Sequence, residues 1–402
     1  MTPQPLRGIR VIDFCWMIAG PLGTRLLADL GAEVIKIESI ARLDRIREVG
    51  VQPPGVLSPE TNAVFNDCNV NKRSMMLNLG HPRGIEIAKA LIAKADIVTS
   101  NFTPDRMNRW GLGYDDLKAI KSDIIVASMP VMGTLGPHSH WRAVGNGVIA
   151  MGGLNGLTGF PDRAPVGLGT LHSDFTSPYF AALQIAAAVL QRNRTGAGQF
   201  IELSQYEATV HLLDTEVLDY LVNGHETQRR GNRSNRIVPH GVFPTAGDDR
   251  WIAIAVRSKD EWIALCTGLG LDALKSRTDL FEAEGRFAAE DEIERGISER
   301  TCRRDAWELA DSLQRAGVPA APVEDVCDLA GRDPMHERFL VETPHPAGHS
   351  MLLQHEPLTW NGERLPIRLA PLLGEDTAAV CEELLGLDEA AVGDLVAEGV
   401  LC

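Results

Sequence analysis

An alternation of strand-like and helix-like segments in the first 130 residues most constrains the fold of this chain. A short β-branched run at 10–14 is followed by a helical pattern at 22–30, which stops at Gly31, and by a second strand-like run at 33–38. The alternation then repeats with a helix at 82–93, a strand at 96–99, a helix at 114–121 and a strand at 124–129. Strands separated by helices of this length normally form a parallel sheet covered by helices, so we predict an open, mostly parallel α/β sheet.

The loops after these strands are the expected ligand-binding region, because ligands of open α/β sheets bind beyond the carboxyl ends of the strands. They cover residues 15–21, 39–47, 100–106 and 130–140. No GxGxxG motif stands between a predicted strand and helix, and no GxxxxGK[ST] motif occurs. The motifs therefore favour neither a dinucleotide-binding site nor a P-loop.

The length of 402 residues predicts two domains, since a single hydrophobic core usually stops growing below this size. From residue 225 the sequence becomes polar, and a strand pattern at 251–256 is followed by highly charged helices. We predict a large domain from residues 1–224 and 331–402, and a smaller α+β domain at 225–330. In the closing part we expect Pro-rich connections at 343–346, a strand region at 351–360 and a helix at 376–385.

The charge balance argues against a nucleic-acid partner, because 54 acidic and 39 basic residues give a net charge of -15. The seven cysteines are odd in number and never spaced as CxxC, which is typical of free thiols in a reducing compartment. The N-terminal segment lacks the pattern of a signal sequence, and the apolar run at 181–190 is only about half a membrane span. We expect a cytoplasmic protein without membrane spans. We also expect no metal site, because neither the pair His138 and His140 nor the pair His345 and His349 has Cys or carboxylates nearby that are arranged as a recognisable metal site.

Asp174 is the candidate nucleophile. It follows a Gly-rich stretch at 133–169 with little helical periodicity, and it precedes an apolar helical pattern at 175–192. One interpretation is structural, since Asp is a favoured N-cap that binds the free N–H groups of the first turn. The other is functional, because the positive end of a helix stabilises an ionised carboxylate, and a carboxylate can attack a thioester. The sequence alone leaves both open.

Basic residues cluster near the expected ligand edge, in the Asn-Lys-Arg-Ser segment at 71–74 and at Arg42, Arg45 and Arg47. They are either a solvated surface cluster or the local positive charge that an acidic protein needs to bind a phosphate-bearing ligand.

Four blocks of the sequence carry a family resemblance: LRGIRVIDFCWMIAGPLGTRLLADLGAEVIKIE, NKRSMMLNLGHPRG, ADIVTSNFTPDRMNRWGLGYDDL and LQRNRTGAGQFIELSQYEA. In this order they closely resemble the class III coenzyme A transferases of the CaiB/BaiF type, whose superfamily includes the α-methylacyl-coenzyme A racemases. The likeness extends from about residue 6 to residue 207, and more loosely through VPHGVFPTAGDDRWIAIAV and AGVPAAPV.

The resemblance implies a Rossmann-like large domain built from both chain ends, a smaller domain, and two subunits interlocked as a homodimer or as a heterodimer with a related subunit. It also implies coenzyme A and carboxylic acids as substrates, with Asp174 as the acylated catalytic residue. The implied coenzyme A pocket contains Met17, Ile18, Ala19, Arg73, Met75, Asn101, Phe102 and Arg106. An arginine common in the family after the second strand is Ser39 here, so Arg42 or Arg45 is expected to replace it.

The resemblance leaves three functions open. In the racemase subgroup a His-Asp pair precedes the segment that reads VIAMGG here, and counting back places Val144 and Gly145 at that pair. Valine cannot transfer a proton, so a transferase is favoured unless His140 substitutes. The third function is a non-catalytic, coenzyme A-binding subunit of a hetero-oligomer. The segments GFPDRAPVGLG and VPHGVFP resemble those of transferases that act on succinyl-coenzyme A and bulky or aromatic dicarboxylic acids such as benzylsuccinate. Backbone N–H groups at 145–153 or around Gly241 are the expected oxyanion donors.

Overall fold

The computed structural model describes residues 4–53 and 58–402. Residues 1–3, part of the segment in which we expect no signal sequence, lie outside the described residues. The chain divides into two compact units. The larger comprises the described parts of 1–156, 166–227 and 337–402, and the smaller comprises 157–165 and 228–336.

A parallel sheet organises the larger unit. Its strands are β1 (Arg10–Asp13), β2 (Glu33–Glu38), β3 (Arg73–Met76), β4 (Ile97–Ser100), β5 (Ile125–Ser128) and β6 (Gln199–Glu202). Within the described residues this sheet has six strands in the order β3-β2-β1-β4-β5-β6, and every neighbouring pair is parallel. The structure therefore confirms the predicted open α/β sheet.

The strand order places a switch point beside β1. The chain proceeds from β1 to β2 and β3 on one side of β1, and then crosses to β4 on its other side. Ile12 of β1 accordingly pairs with Ile35 of β2 on one side and with Val98 of β4 on the other. The loops after β1 and β4 thus diverge to opposite sides, which opens a crevice at the carboxyl edge of the sheet.

Helices surround this sheet and build the smaller unit. In chain order they are α1 (Ala19–Asp29), α2 (Ala63–Cys68), α3 (Pro82–Ile92), α4 (Asp105–Arg109), α5 (Tyr114–Ile120), α6 (Gly145–Met151), α7 (Leu154–Leu157), α8 (His172–Thr195), α9 (Gln205–His211), α10 (Asp214–Asn223), α11 (Lys259–Leu269), α12 (Asp272–Lys275), α13 (Ala283–Ala288), α14 (Glu290–Thr301), α15 (Ala306–Arg315), α16 (Val326–Gly331), α17 (His336–Phe339), α18 (Thr377–Val380) and α19 (Glu389–Ala397). Short 3₁₀ turns lie at Ile40–Arg42, Arg45–Arg47 and Thr278–Phe281, and a π turn lies at Cys381–Leu385.

Each face of the parallel sheet has its own apolar core, because successive side chains of a strand point to opposite faces. Ile12 packs into the core that includes Leu91 of α3 and Leu395 of α19, so the chain end returns to this face. Val11 packs into the core on the other face, which includes Ile185 of α8. Helices α1 and α8 pack against each other on that second face. The sheet therefore fixes the position of α8, the helix that carries Asp174.

The smaller unit contains an antiparallel sheet of β7 (His240–Pro244), β8 (Trp251–Ala255) and β9 (Ala320–Val323), in that order. Its core includes Trp262 of α11, whose side chain is fully buried. A separate hairpin of β10 (Leu340–His345) and β11 (His349–Gln354) belongs to the larger unit.

Some elements differ from the prediction. Strands β3 and β6 were not expected, since they are four residues long and rich in polar side chains. The Gly-rich stretch contains α6, in which Gly145 and Gly147 weaken the helical pattern while Val148 and Ile149 are buried. The Pro-rich connection expected at 343–346 is largely strand β10.

None of the helices described here combines the length and apolar composition that crossing a bilayer would require.

Candidate active site

An open cavity of about 390 Å³ lies at the carboxyl edge of the parallel sheet, in the larger unit. The loops after β1, β2, β4 and β5 all contribute to it, as the strand-end argument predicts. The residues that line it include the following from these loops: Trp16, Met17, Ser39, Arg42, Arg45, 101–104, Arg106, Trp110, 130–132, Ser139 and 141–143.

Four arginines give this cavity a local positive charge: Arg42, Arg45, Arg106 and Arg142. Partial burial lowers the pKa of the Arg106 guanidinium, and the nearby charges of Arg42 and Arg142 lower it further. No ion pair found within the described residues includes any of the four. An otherwise acidic chain thus concentrates uncompensated positive charge at one site, which suits a polyanionic ligand.

Aromatic rings form the apolar part of the wall. The Trp16 and Phe102 rings meet edge to face with centroids 5.2 Å apart, and Phe102 meets Trp110 in the same way at 5.7 Å. The Arg42 and Arg106 guanidinium groups lie 5.4 Å from the Trp16 and Trp110 rings respectively. Flat apolar faces beside cations can bind a ligand that combines a heteroaromatic ring with phosphates.

The loop after β1 is held in an unusual conformation. Met17 has a left-handed backbone with φ 65°, and its N–H donates to Asp44 Oδ1 at 2.9 Å. Asn101 fixes the preceding residue, because its Oδ1 accepts from the Trp16 N–H at 2.9 Å and its Nδ2 donates to the Trp16 carbonyl at 2.7 Å. At Gly20 a Cβ would lie 2.7 Å from Cys15 Sγ, so the loop packs closely against the start of α1.

Buried ion pairs support this loop from below. Lys36 lies 3.0 Å from Asp44 and also donates to the Cys15 carbonyl at 2.7 Å, while Lys72 lies 3.2 Å from Asp13. All four charged side chains are fully buried. Burial by itself raises the pKa of Asp13, but the charges of Lys72 and Lys36 outweigh it, so the pKa lies below the ordinary value. These pairs hold the wall of the cavity in place.

Asp174 is the third residue of α8, and the N-cap of this helix is Leu171. Asp174 therefore does not serve as the N-cap, although it lies in the first turn, where the helix dipole favours a negative charge. Burial raises the pKa of Asp174 to about 6, although a hydrogen bond from the Gly145 N–H acts in the opposite direction. Among the ion pairs of the described chain none includes Asp174.

Gly145, the first residue of α6, is the immediate neighbour of this carboxylate. A Cβ on Gly145 would lie 2.6 Å from Asp174 Oδ2 and 3.0 Å from the Leu171 Cβ. The fully buried Ser173 hydroxyl donates to the Gly145 carbonyl at 3.4 Å. Ala143, two residues earlier, lines the cavity. Two residues span at most about 7 Å, so the Asp174 neighbourhood adjoins the cavity even though Asp174 does not line it.

The structure brings most of the predicted pocket residues together. Met17, Arg42, Asn101, Phe102 and Arg106 all line the cavity. Ile18 and Ala19, which were also predicted, do not line the cavity, and each has 5% of its surface exposed.

Two predicted pocket residues lie elsewhere. Arg73 is on the edge strand β3, where it forms ion pairs with Glu33, Asp376 and Glu383. The side chain of Met75, on the same strand, is fully buried in the core. Neither residue is in the cavity wall.

The same holds for part of the predicted basic cluster. Lys72 is buried against Asp13, and Arg47 is buried against Glu38 at 2.8 Å, so only Arg42 and Arg45 of that cluster reach the cavity. Trp16, Trp110, Trp141 and Arg142 also line the cavity, and none of them was among the predicted pocket residues. Two of them could have been predicted from their position, since Trp16 lies in the predicted ligand loop 15–21 and Trp141 directly follows the predicted ligand loop 130–140. Gly241, a predicted oxyanion donor, lies in β7 of the smaller unit.

Across residues 4–53 and 58–402, no group of three or more His, Cys, Asp or Glu side chains is arranged to hold a metal ion.

Comparisons with known proteins agree on one family. The family model for CoA-transferase family III matches residues 6–377. The succinyl-CoA:glutarate CoA-transferase of Mus musculus is 31% identical, covering 99% of this chain and 90% of the relative. The β subunit of succinyl-CoA–L-malate CoA-transferase from Chloroflexus aurantiacus is 29% identical, covering 100% and 99%. The crystal structure of a CaiB/BaiF family protein from Brucella suis has a TM-score of 0.85 at 30% identity, covering 95% and 100%. This chain belongs to CoA-transferase family III, the CaiB/BaiF family, and is an enzyme of the class III CoA-transferase type.

Proposed function

We propose that this enzyme moves coenzyme A from an acyl-coenzyme A donor to a carboxylic acid acceptor, with Asp174 as the residue that is covalently acylated. One observation carries the proposal. The Asp174 carboxylate lies in the first turn of α8 beside the cavity, and burial raises its pKa to about 6. Such a group is more basic than an ordinary aspartate, and hence a better nucleophile, yet it remains mostly ionised at neutral pH.

Coenzyme A occupies the cavity in this proposal. Its phosphates bind Arg42, Arg45, Arg106 and Arg142. Its adenine packs against the aromatic rings of Trp16, Phe102 and Trp110. The pantetheine arm then runs along the segment that ends at Ala143, toward the carboxylate of Asp174. Among the described residues no ion pair includes these arginines, and this supports the assignment, because phosphate binding then has no such pair to break.

The first half-reaction transfers coenzyme A to the enzyme. An oxygen of the Asp174 carboxylate attacks the thioester carbonyl of the donor, the C–S bond breaks, and a mixed anhydride and the coenzyme A thiolate form. The thiolate then attacks the aspartyl carbonyl of the anhydride. This step releases the donor acid as a carboxylate and leaves an aspartyl-coenzyme A thioester.

The second half-reaction is the reverse sequence with a new acid. The acceptor carboxylate attacks the aspartyl thioester and releases the thiolate, which gives a second mixed anhydride. The thiolate then attacks the acyl carbonyl that came from the acceptor. The products are the new acyl-coenzyme A and the free Asp174 carboxylate, so no water and no external proton are consumed.

Succinyl-coenzyme A is the proposed donor, and a dicarboxylic acid is the proposed acceptor. The mouse and Chloroflexus relatives are named for succinyl-CoA together with glutarate and with L-malate, respectively. In both names the donor is a thioester that carries a free carboxylate, and the acceptor is an acid with two carboxylates.

A racemase is the second hypothesis, and the geometry favours it less. Two-base epimerisation requires a proton-transferring side chain opposite the substrate carbon. At the positions that match the racemase pair, Val144 has no such group, and a side chain at Gly145 would collide with Asp174 Oδ2. His140, the proposed substitute, is exposed and outside the cavity wall.

We further propose that two copies of the larger unit associate, as an interlocked homodimer or with a related subunit. Support comes from α10, on which Leu218, Leu221 and Val222 are 58%, 70% and 76% exposed. On α8, Leu183 and Leu190 are 65% and 61% exposed. Apolar helical faces of this kind are typical of surfaces that a protein partner covers.

Mass spectrometry of the enzyme incubated with a panel of acyl-coenzyme A donors tests the proposal. We expect a coenzyme A adduct on Asp174 with the correct donor and no acceptor, and loss of both adduct and turnover in Asp174→Ala while coenzyme A still binds. Full activity of Asp174→Ala would remove this residue from the mechanism. Solvent deuterium entering the substrate α-carbon without an acceptor acid would instead indicate a racemase. Coenzyme A binding without any turnover of the wild type alone would indicate a non-catalytic subunit.

A further inference from the structure

We propose that Gly145 is a positioning residue for the Asp174 nucleophile, because its bare Cα and its N–H form the surface against which the carboxylate rests. This inference rests on the proposed function. It also specifies which backbone segment acts on the nucleophile, namely the start of α6. The residues that carry it are Gly145, Asp174, Ser173 and Leu171.

The need for positioning follows from the charge environment of Asp174. Ion pairs do not hold this carboxylate anywhere within the described residues, in contrast to the buried Asp13 and Asp44. Its side chain can therefore rotate unless a neighbour restricts it. A nucleophile displaced by about 1 Å can lose about a hundredfold in rate, so the restricting contact is part of the catalytic geometry.

Gly145 supplies this restriction. The Cβ of any other residue at 145 would lie 2.6 Å from Asp174 Oδ2, well below a normal contact distance, and 3.0 Å from Leu171 Cβ. Oδ2 thus occupies space that only glycine leaves open. The Gly145 N–H hydrogen-bonds the same carboxylate. With one oxygen held in this way, the other is left to attack the thioester.

Ser173 holds Gly145 in turn. Its hydroxyl is fully buried and donates to the Gly145 carbonyl at 3.4 Å, which ties the start of α6 to the first turn of α8. Ser177, one turn later on the same helix, is also buried, but its hydroxyl donates to the Ser173 carbonyl at 2.7 Å rather than to the Gly145 carbonyl. The two serines are therefore a matched pair for an experiment.

Gly145→Ala is the direct test, and Gly156→Ala in α7 is its control. A Cβ on Gly156 would have no heavy atom within 4 Å. With full-length enzyme and succinyl-coenzyme A, we expect Gly145→Ala to lower kcat by about a hundredfold while the donor KM stays within about twofold. We expect Gly156→Ala to keep kcat within about twofold. A merely structural role would lower thermal stability and raise KM, without this separation of kcat from KM.

Ser173→Ala keeps the test decisive if Gly145→Ala fails to fold. We expect a several-fold loss of kcat with unchanged donor KM in Ser173→Ala, and no loss in Ser177→Ala. Wild-type kcat in both Gly145→Ala and Ser173→Ala, with Asp174→Ala inactive in the same assay, would overturn the role of Gly145 and leave the proposed function intact. Activity in Asp174→Ala would instead refute the proposed function itself.

Discussion

Asp174→Asn is predicted to make the protein more stable while abolishing its activity. Burial raises the pKa of Asp174 from its ordinary 3.8 to about 6, so folding imposes a cost on the ionised form. A shift of this size corresponds to about 3 kcal/mol at 1.36 kcal/mol per pKa unit. Because the side chain is only partly buried, solvent screening reduces this to about 1–2 kcal/mol. The amide of Asn is uncharged, so burial does not impose this charge-desolvation penalty on Asp174→Asn.

The sign of the pH dependence follows from the direction of the shift. The folded chain binds the Asp174 proton more tightly than the unfolded chain, so this group favours folding at low pH and loses that contribution as pH rises through about 6. The gain from Asp174→Asn is therefore full at about pH 7.5 and roughly a third of that at about pH 4.5. Over the same range, ionisation of Asp174 should speed adduct formation about tenfold between pH 5 and pH 7.

Urea unfolding at both pH values and at fixed protein concentration measures the stability difference, and mass spectrometry measures the adduct. The control is Asp260→Asn, which changes an exposed carboxylate in the first turn of α11 and should alter stability by less than about 0.5 kcal/mol. A loss of stability in Asp174→Asn at the higher pH, or a gain that does not shrink at the lower pH, would refute the burial argument.

Two further predictions concern binding and assembly. Arg42→Ala and Arg106→Ala should each weaken coenzyme A binding about tenfold and reduce the salt dependence of that binding. Calorimetry at low and high salt measures both effects. Arg303→Ala, which changes an exposed arginine outside the cavity wall, should alter neither the affinity nor its salt dependence. Leu221→Glu should convert a dimer into monomers in sedimentation experiments, because it places a charge in the apolar face of α10, whereas Leu329→Glu in the smaller unit should not. A dimer that tolerates Leu221→Glu would contradict the proposed interface.

The sequence predicted the central strands and the helices between them better than the two outer strands of the sheet, β3 and β6. The run at 33–38 coincides with β2, and the helix expected at 82–93 is α3, because both have clear apolar periodicity. Strands β3 and β6 lacked that signal, since a four-residue strand such as β3 takes its stability from pairing with β2 and from Asp376, about 300 residues away. Such long-range contacts are not visible in local patterns.

The site was predictable as a location and only partly as a set of residues. The rule that ligands bind at strand ends identified the loops that line the cavity, and it required no side-chain information. Whether a given arginine points into the cavity depends on its partners in the fold. Arg73 forms ion pairs with Glu33 and Glu383, and Arg47 with Glu38. Arg42, by contrast, forms no ion pair with any carboxylate in residues 4–53 and 58–402. The contact of Gly145 with Asp174 joins positions 29 residues apart and had no sequence signal.

The buried pairs Lys36–Asp44 and Lys72–Asp13 have a practical consequence for handling the enzyme. Dissolved ions screen charges that face water, but they hardly affect charges enclosed in protein. Concentrated salt should therefore detach a phosphate-bearing ligand from the exposed guanidinium groups while the loop beneath them keeps its shape. A coenzyme A affinity column could then be eluted with sodium chloride alone, and the recovered enzyme would be ready for assay without refolding.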